Sequence, residues 1–216
     1  MHKIHRLYRP ELFQGPARLV RCRPYFEGWY YRISSPELNL AVIPGVSLAA
    51  GDPHAFVQVI RSGTGTSSYA RFSLREFAHR RSPFLISLGK NRFTLDRLHL
   101  ELPDLSADLT LDEPRRWPSS LLSPSSMGPY AFLSFLECYH GIILLSARAE
   151  GSVDGRRLAG GRLYVEKDWG VSFPTAWVLA EDAEQQFSRA GCADLLGGPG
   201  TPAPAQLHGL HYRPAG

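Results

Sequence analysis

The sequence predicts an all-β fold, an antiparallel sandwich or barrel. Three observations carry that expectation. The apolar periodicity is mostly two rather than 3.6. Strand-like segments recur about every 10 residues between Pro, Gly, Asn and Asp. Apart from Leu74–Arg81, no stretch before residue 179 shows a sustained helical stripe with caps.

The elements follow in order. Tyr25–Ile33 (YFEGWYYRI) is almost entirely β-forming and is broken once, by Gly28. Leu38–Ile43 and Ala55–Ile60 are short and apolar, and GTGTSS at 63–68 is a turn cluster leading into Tyr69–Leu74. Leu74–Arg81 (LREFAHRR) could form two turns of helix. Phe84–Leu88, Arg97–Leu102 and Leu105–Leu111 are three further strands, and Phe132–Gly141 a fourth. Asp154-Gly155, between Ile142–Val153 and Leu158–Val165, reads as a type I′ hairpin turn. A Pro/Ser/Trp-rich connector at 114–129 (PRRWPSSLLSPSSMGP) is expected to wrap a sheet edge or to join two β-units.

Composition narrows the function. Of 216 residues, 44% are hydrophobic and 20% charged. That balance supplies a core and excludes a fully disordered or fibrous chain. No apolar run reaches the roughly 20 residues of a spanning helix. The first fifteen residues lack an apolar signal core, so no secretory leader is expected. Cys22, Cys138 and Cys192 form neither a disulfide framework nor a metal pattern, which fits a reducing, cytoplasmic setting. The net charge of +4 comes mostly from scattered arginines, with pairs at 80–81, 115–116 and 156–157 and no longer basic block. Nucleic acid is therefore not the expected partner. A mildly basic face leaves peripheral contact with anionic lipid headgroups open.

The chain changes character near its end. GPGTPAPAQ is low-complexity, and little in 188–216 could pack a core, so 179–216 is expected to be a disordered tail. A one-base shift in reading frame offers a reason. With permitted synonymous codons, Leu179–Phe187 read one base later spells W-L-K-T-Q-N-S-N-F, and Leu207–Pro214 becomes F-T-G-F-I-I-G, a strand-like run.

Strand alternation assigns candidate chemistry to faces. One face of the first strand carries Tyr25, Glu27, Trp29 and Tyr31. One face of 132–141 carries Phe135, Glu137 and Tyr139, and the other carries Cys138 and His140. Tyr164, Glu166 and Asp168 share a face of the last strand. A carboxylate on an aromatic-rich strand either pairs with a cation or holds its proton near neutral pH. Structural pairings stand beside the catalytic reading: Glu27 with Arg23 or Arg32, Glu166 with Arg162, and Asp168 in a turn with Trp169-Gly170. No H-x-H, HExxH or CxxC spacing supports a metal, so none is expected. The G-x-S-x-G elbow, GxGxxG and Walker patterns are absent. Cys138 and His140 would share a strand face, but nothing marks an activated thiolate.

Several blocks carry a resemblance: FQG (13–15), PYFEGWYYRI (24–33), IPG (43–45), HAFVQVI (54–60), MGPYAFLSFLECYHGI (127–142) and GGRLYVEKDWGVSFPTAWV (160–178). Together they resemble the tocopherol cyclase family, over roughly residues 5–178, with F-x-G-W-Y and E-K-D-W-G-x-S-F-P the most specific. In that family the last block continues as W-x-W-x-Q-x-N-x-F. This chain departs from the pattern after Val178, and the alternate frame supplies W-L-K-T-Q-N-S-N-F at that point. The resemblance implies a lipocalin-like antiparallel β-barrel or sandwich around an apolar cavity. Residues 1–178 would form the β domain, with a second barrel left incomplete. It also implies kinship with carotenoid hydratases, and the chain looks more like shorter bacterial members.

The activity so implied is that of a cofactor-independent cyclase of the isomerase or intramolecular lyase type. It closes a chroman ring by acid-catalysed addition of a phenol O–H to a prenyl double bond. The expected partner is a hydrophobic small molecule, a prenylated quinol or similar isoprenoid lipid. A neutral carboxylic acid protonates the alkene, facing rings stabilise the cation, and a base takes the phenol proton. The candidate acids are Asp168, favoured for its block, then Glu166, Glu27 and Glu137, with His140 the candidate base. Tyr25, Trp29, Tyr139 and Trp169 are the candidate substrate-binding rings. A lipocalin-like carrier without catalysis, or an inactive fragment, is the alternative. The coding DNA tests the frame reading: the shifted frame is expected to run open and strand-like beyond codon 178. Stop codons there, or no strand-like segment, would overturn it.

Overall fold

The computed structural model describes residues 7–15, 24–49 and 51–172. The tail at 179–216, its proposed change of frame, Cys22 and Cys192 lie outside them. The described residues form eleven strands. They are β1 (Phe26–Ser34), β2 (Asn39–Ser47), β3 (His54–Arg61), β4 (Thr66–Phe72), β5 (Phe77–Arg81), β6 (Phe84–Leu88), β7 (Asn91–Phe93), β8 (Arg97–Leu102), β9 (Leu105–Arg116), β10 (Cys138–Val153) and β11 (Arg156–Gly170). One antiparallel sheet runs β4-β3-β2-β1-β11-β10-β9-β8-β7-β6-β5 and curls into a nearly closed, lipocalin-like barrel.

Most expected strands are present within a few residues of their expected ends. The Asp154-Gly155 turn has φ of 50° and 73°. Both are positive, as a type I′ hairpin requires. The helix expected over Leu74–Arg81 is instead a turn followed by β5. Phe77 pairs with Leu88 and turns inward, 7% exposed. Sheet pairing thus overrides a weak helical tendency. The strand expected over Phe132–Gly141 begins only at Cys138; before it lies a short 3₁₀ turn, Gly128–Phe132. The Pro/Ser connector, expected to wrap an edge or join two units, links β9 to β10, which are hydrogen-bonded neighbours in this sheet.

Alternation along β1 is strict: Glu27, Trp29, Tyr31 and Ile33 point inward and are fully buried. With Val42, Val57, Phe93, Leu98, Leu109 and Val165 they fill the barrel. The expected apolar cavity is therefore occupied by side chains, as in other small barrels. A groove of about 520 Å³ opens elsewhere, among Ser35, Leu38, Arg61, Asp154, Arg156 and Leu158. That is the hairpin end of β10 and β11, the far end of β11 from Asp168.

Two charges sit inside this packed barrel. Lys167 Nζ donates to Glu27 Oε1 at 2.7 Å, and both side chains are 0% exposed. Glu27 also accepts from the backbone N–H of Gln14 and Gly15, each at 3.0 Å, and from the Tyr25 hydroxyl at 2.6 Å. Lys167 donates to the Leu12 carbonyl at 2.7 Å. Its Nζ lies 4.4 Å from the Trp169 ring centre and 5.3 Å from that of Trp29. At those distances each ring attracts the ammonium. The Trp29 indole N–H donates to Glu11 O at 2.9 Å. The segment Glu11–Gly15 is thus bound to β1 and β11 by its own backbone. Removing one partner of a buried ion pair leaves an uncompensated charge, so Lys167→Met is expected to cost about 3–5 kcal/mol in urea unfolding. Adding Glu27→Gln should recover part of that loss. A single variant within about 1 kcal/mol of wild type would show that the pair does not hold the barrel.

Candidate active site

The outer face of the same strands carries the second polar cluster. β11 lies between β1 and β10, with Asp168 opposite Gly28 on one side and His140 on the other. Glu166 lies opposite Tyr30 and Ile142, and Tyr164 opposite Arg32. Asp168, Glu166 and Tyr164 therefore stand in one row, flanked by His140, Tyr30 and Arg32.

The contacts within the row are short. His140 Nδ1 lies 2.9 Å from Asp168 Oδ1, and His140 Nε2 lies 3.7 Å from Glu166 Oε2. The Tyr164 hydroxyl donates to Glu166 Oε2 at 2.6 Å. Glu166 is 1% exposed, whereas the Asp168 and His140 side chains are 20% and 33% exposed. A sealed carboxyl thus stands behind a pair that reaches solvent.

Burial raises the pKa of Glu166 and the charge of Asp168 adds to the rise; the charge of His140, the Tyr164 hydroxyl and the charge of Arg32 act against it. For His140, burial disfavours the charged ring. The hydrogen bond and charge of Asp168, with help from Glu166, outweigh it and hold the pKa above the usual histidine value. Burial, then the charge of Glu166 and the hydrogen bond to it, keep the Tyr164 phenol protonated. Burial, with the Asp168 charge behind it, pushes the Cys138 thiol up to about 12. It therefore stays protonated and is no nucleophile.

The expected site residues separate accordingly. Asp168, Glu166 and His140 come together. Glu27, expected as an acid, is locked to Lys167 inside the barrel. Its expected partner Arg32 stands on the opposite face of β1, and Arg23 lies outside the described residues. Glu137, the other expected acid, is solvent-exposed because the chain around it is not yet strand. The expected substrate rings lie on the face of the sheet opposite to Asp168, Glu166 and His140. Tyr139 and Trp169 stack at 5.7 Å on the inner side, where Trp169 and Trp29 face the Lys167 ammonium, and Tyr25 holds Glu27. Residue 169 faces opposite to 168, and 139 opposite to 140. The rings that do flank the acid are Tyr30 and Tyr164. Tyr30 went unread because only the β1–β11 register places it beside Glu166.

One nitrogen of His140 and one oxygen each of Glu166 and Asp168 lie within 4.8 Å of one another. A divalent cation could also use that donor set. No family model matches the chain, and no curated protein matches it. Among solved structures it is similar to a Nitrosomonas europaea protein provisionally designated AttH, at 13% identity and a TM-score of 0.44. The alignment covers 70% of this chain and 52% of that one, so the chain spans about half the length of that neighbour.

The histidine yields a pH test. Its folded-state pKa stands above the unfolded value. The His140–Asp168 interaction therefore stabilises fully below pH about 6.5, and that contribution is lost as pH rises through the folded value. His140→Gln is expected to lower stability relative to wild type more at pH 5.5 than at pH 8.5, measured by urea midpoints. An equal deficit at both would show that the ring is not charged in the folded state.

Proposed function

We propose that the outer face of β1, β11 and β10 is an acid–base site for an apolar alkene-bearing phenol, and that the chain is a tocopherol cyclase-like enzyme. The observation that carries this reading is the Glu166 carboxyl. It is 1% exposed, its pKa is raised by burial, and an imidazole linked to a second carboxylate lies 3.7 Å away. Burial favours the neutral form of that carboxyl, and the neutral form is the reagent that alkene protonation needs.

The proposed steps balance. Glu166 gives its proton to the less substituted alkene carbon, and a tertiary cation forms. The phenol oxygen attacks that cation, forming the C–O bond and releasing its proton. The His140 imidazolium, held by Asp168, passes its Nε2 proton to the Glu166 carboxylate and takes up the phenol proton. The product has the mass of the substrate and the site returns to its starting charge. Tyr30 and Tyr164, the rings that flank Glu166, would face the cation. Asp168 is a positioning residue here, setting the ring and its protonation.

The three-donor set favours one other reading, a divalent cation acting as the acid. One experiment separates them. The protein, as it stands and with the frame restored after codon 178, is incubated with a panel of prenylated quinols and followed by mass and ultraviolet spectrum. Glu166→Gln is expected to abolish turnover, and Asp168→Asn to lower it by about 10²–10⁴-fold while the ligand still binds. EDTA treatment should leave the rate unchanged. Loss of activity in EDTA with recovery on added zinc would replace the carboxylic acid with a metal. Unchanged activity in Glu166→Gln would exclude this acid.

A further inference from the structure

The connector between β9 and β10 has side chains that its own fold does not use. Leu121 is 86% exposed, Leu122 76%, Phe135 76%, Tyr130 63% and Phe132 40%. Isolated exposed apolar residues are ordinary, but five large ones on a single connector are a concentration that marks a contact surface. The backbone beneath them is held in place. The Tyr8 hydroxyl donates to Leu121 O at 2.9 Å, the Tyr139 hydroxyl to Leu133 O at 2.6 Å, and Ser119 Oγ to Pro124 O at 3.0 Å. The side chains therefore project from a fixed loop.

Two further facts bear on what they meet. Between Glu113 and Glu137 the sequence has no carboxylate, while Arg115 and Arg116 stand at the base of the connector. The connector itself is apolar and free of carboxylates, with Arg115 at its base; Arg116 is paired with Glu11, and the exposed Glu113 and Glu137 stand only at its two ends. The connector also borders the candidate active site: the His140 N–H donates to Met127 Sδ at 3.1 Å and the Ile142 N–H to Ser126 Oγ at 3.3 Å.

We infer that this connector docks the protein on an anionic phospholipid surface, with its leucines and aromatic rings entering the interface and Arg115 near the headgroups. The inference rests on the proposed function to this extent: an apolar quinol would be presented from the bilayer beside His140 and Asp168.

The test is vesicle flotation of the full chain, with phosphatidylcholine vesicles and with vesicles containing phosphatidylglycerol. Binding to the anionic vesicles is expected to exceed that to neutral ones by about 10-fold and to weaken in high salt. Leu121→Ser/Leu122→Ser and Phe132→Ser/Phe135→Ser should each reduce it by about 10-fold or more with an unchanged circular dichroism spectrum. Arg115→Gln gives a milder loss in a variant that leaves the apolar tips intact. Asp168→Asn should bind vesicles as wild type does, so loss of catalysis and loss of docking are read separately. Failure of the wild type to float would overturn the inference. So would apolar variants that bind unchanged, or a concentration-dependent dimer in sedimentation that those variants dissolve, which would make the loop a contact between two copies.

Discussion

The buried pair of Glu27 and Lys167 is the interaction on which the rest of this structure depends. Two opposite charges in a packed interior are tolerated only when each remaining hydrogen-bonding site is filled. Here the filling comes from distant places: the backbone of 12–15, a tyrosine on entry to β1, and two indoles. The ladder between β1 and β11 sets Trp29 against Lys167 and Glu27 against Trp169. A slip of one residue would drive Lys167 out and pull Asp168 in. The same register, read on the outer side, puts Tyr30 beside Glu166 and Gly28 beside Asp168. The ion pair inside the barrel therefore also fixes the geometry of the Tyr164, Glu166 and Asp168 row outside it.

This division into faces explains what could be read from the chain alone. Period-two segments bounded by turn residues located most strands, and Phe84–Leu88 and Arg97–Leu102 to the residue. β5 was not legible as a strand because LREFAHRR has no clean alternation until Phe77 meets Leu88 across a turn. β7, three residues long, carries too few positions to show a period. Alternation also grouped Tyr164, Glu166 and Asp168 correctly, since that is a property of a single strand.

What alternation could not supply is the partner of each carboxylate. Glu27 looked like a proton-holding acid because its neighbours are aromatic, yet its cation is 140 residues away in sequence. Glu137 looked like a strand residue because its block is apolar, but exposed Phe135 and the 3₁₀ turn before it show that those apolar residues do not pack inward. The aromatic rows were read as walls of a ligand chamber. They are walls, and what they enclose is the ammonium of Lys167 and a closed core.

A filled barrel changes where chemistry on an apolar molecule can occur. Glu166 is shielded and its pKa is raised by burial, but His140 and Asp168 reach the surface, and in the proposed reaction a carbocation formed there would be open to water. The space beside Asp168 is real: a side chain added at Gly28 would meet only ordinary contacts, the nearest at 3.5 Å with Ile43. An extended apolar chain could lie over that glycine, beside Tyr30, with its reacting end against Glu166. If the proposed reaction runs there, the cover that the barrel does not provide would come from the substrate's own hydrocarbon and from the apolar phase that carries it. On the proposed reading, a carboxyl sealed within the sheet and a relay open at its surface would suit a reaction at a boundary between water and lipid, with the phenol proton leaving on the wet side and the cation quenched on the dry one.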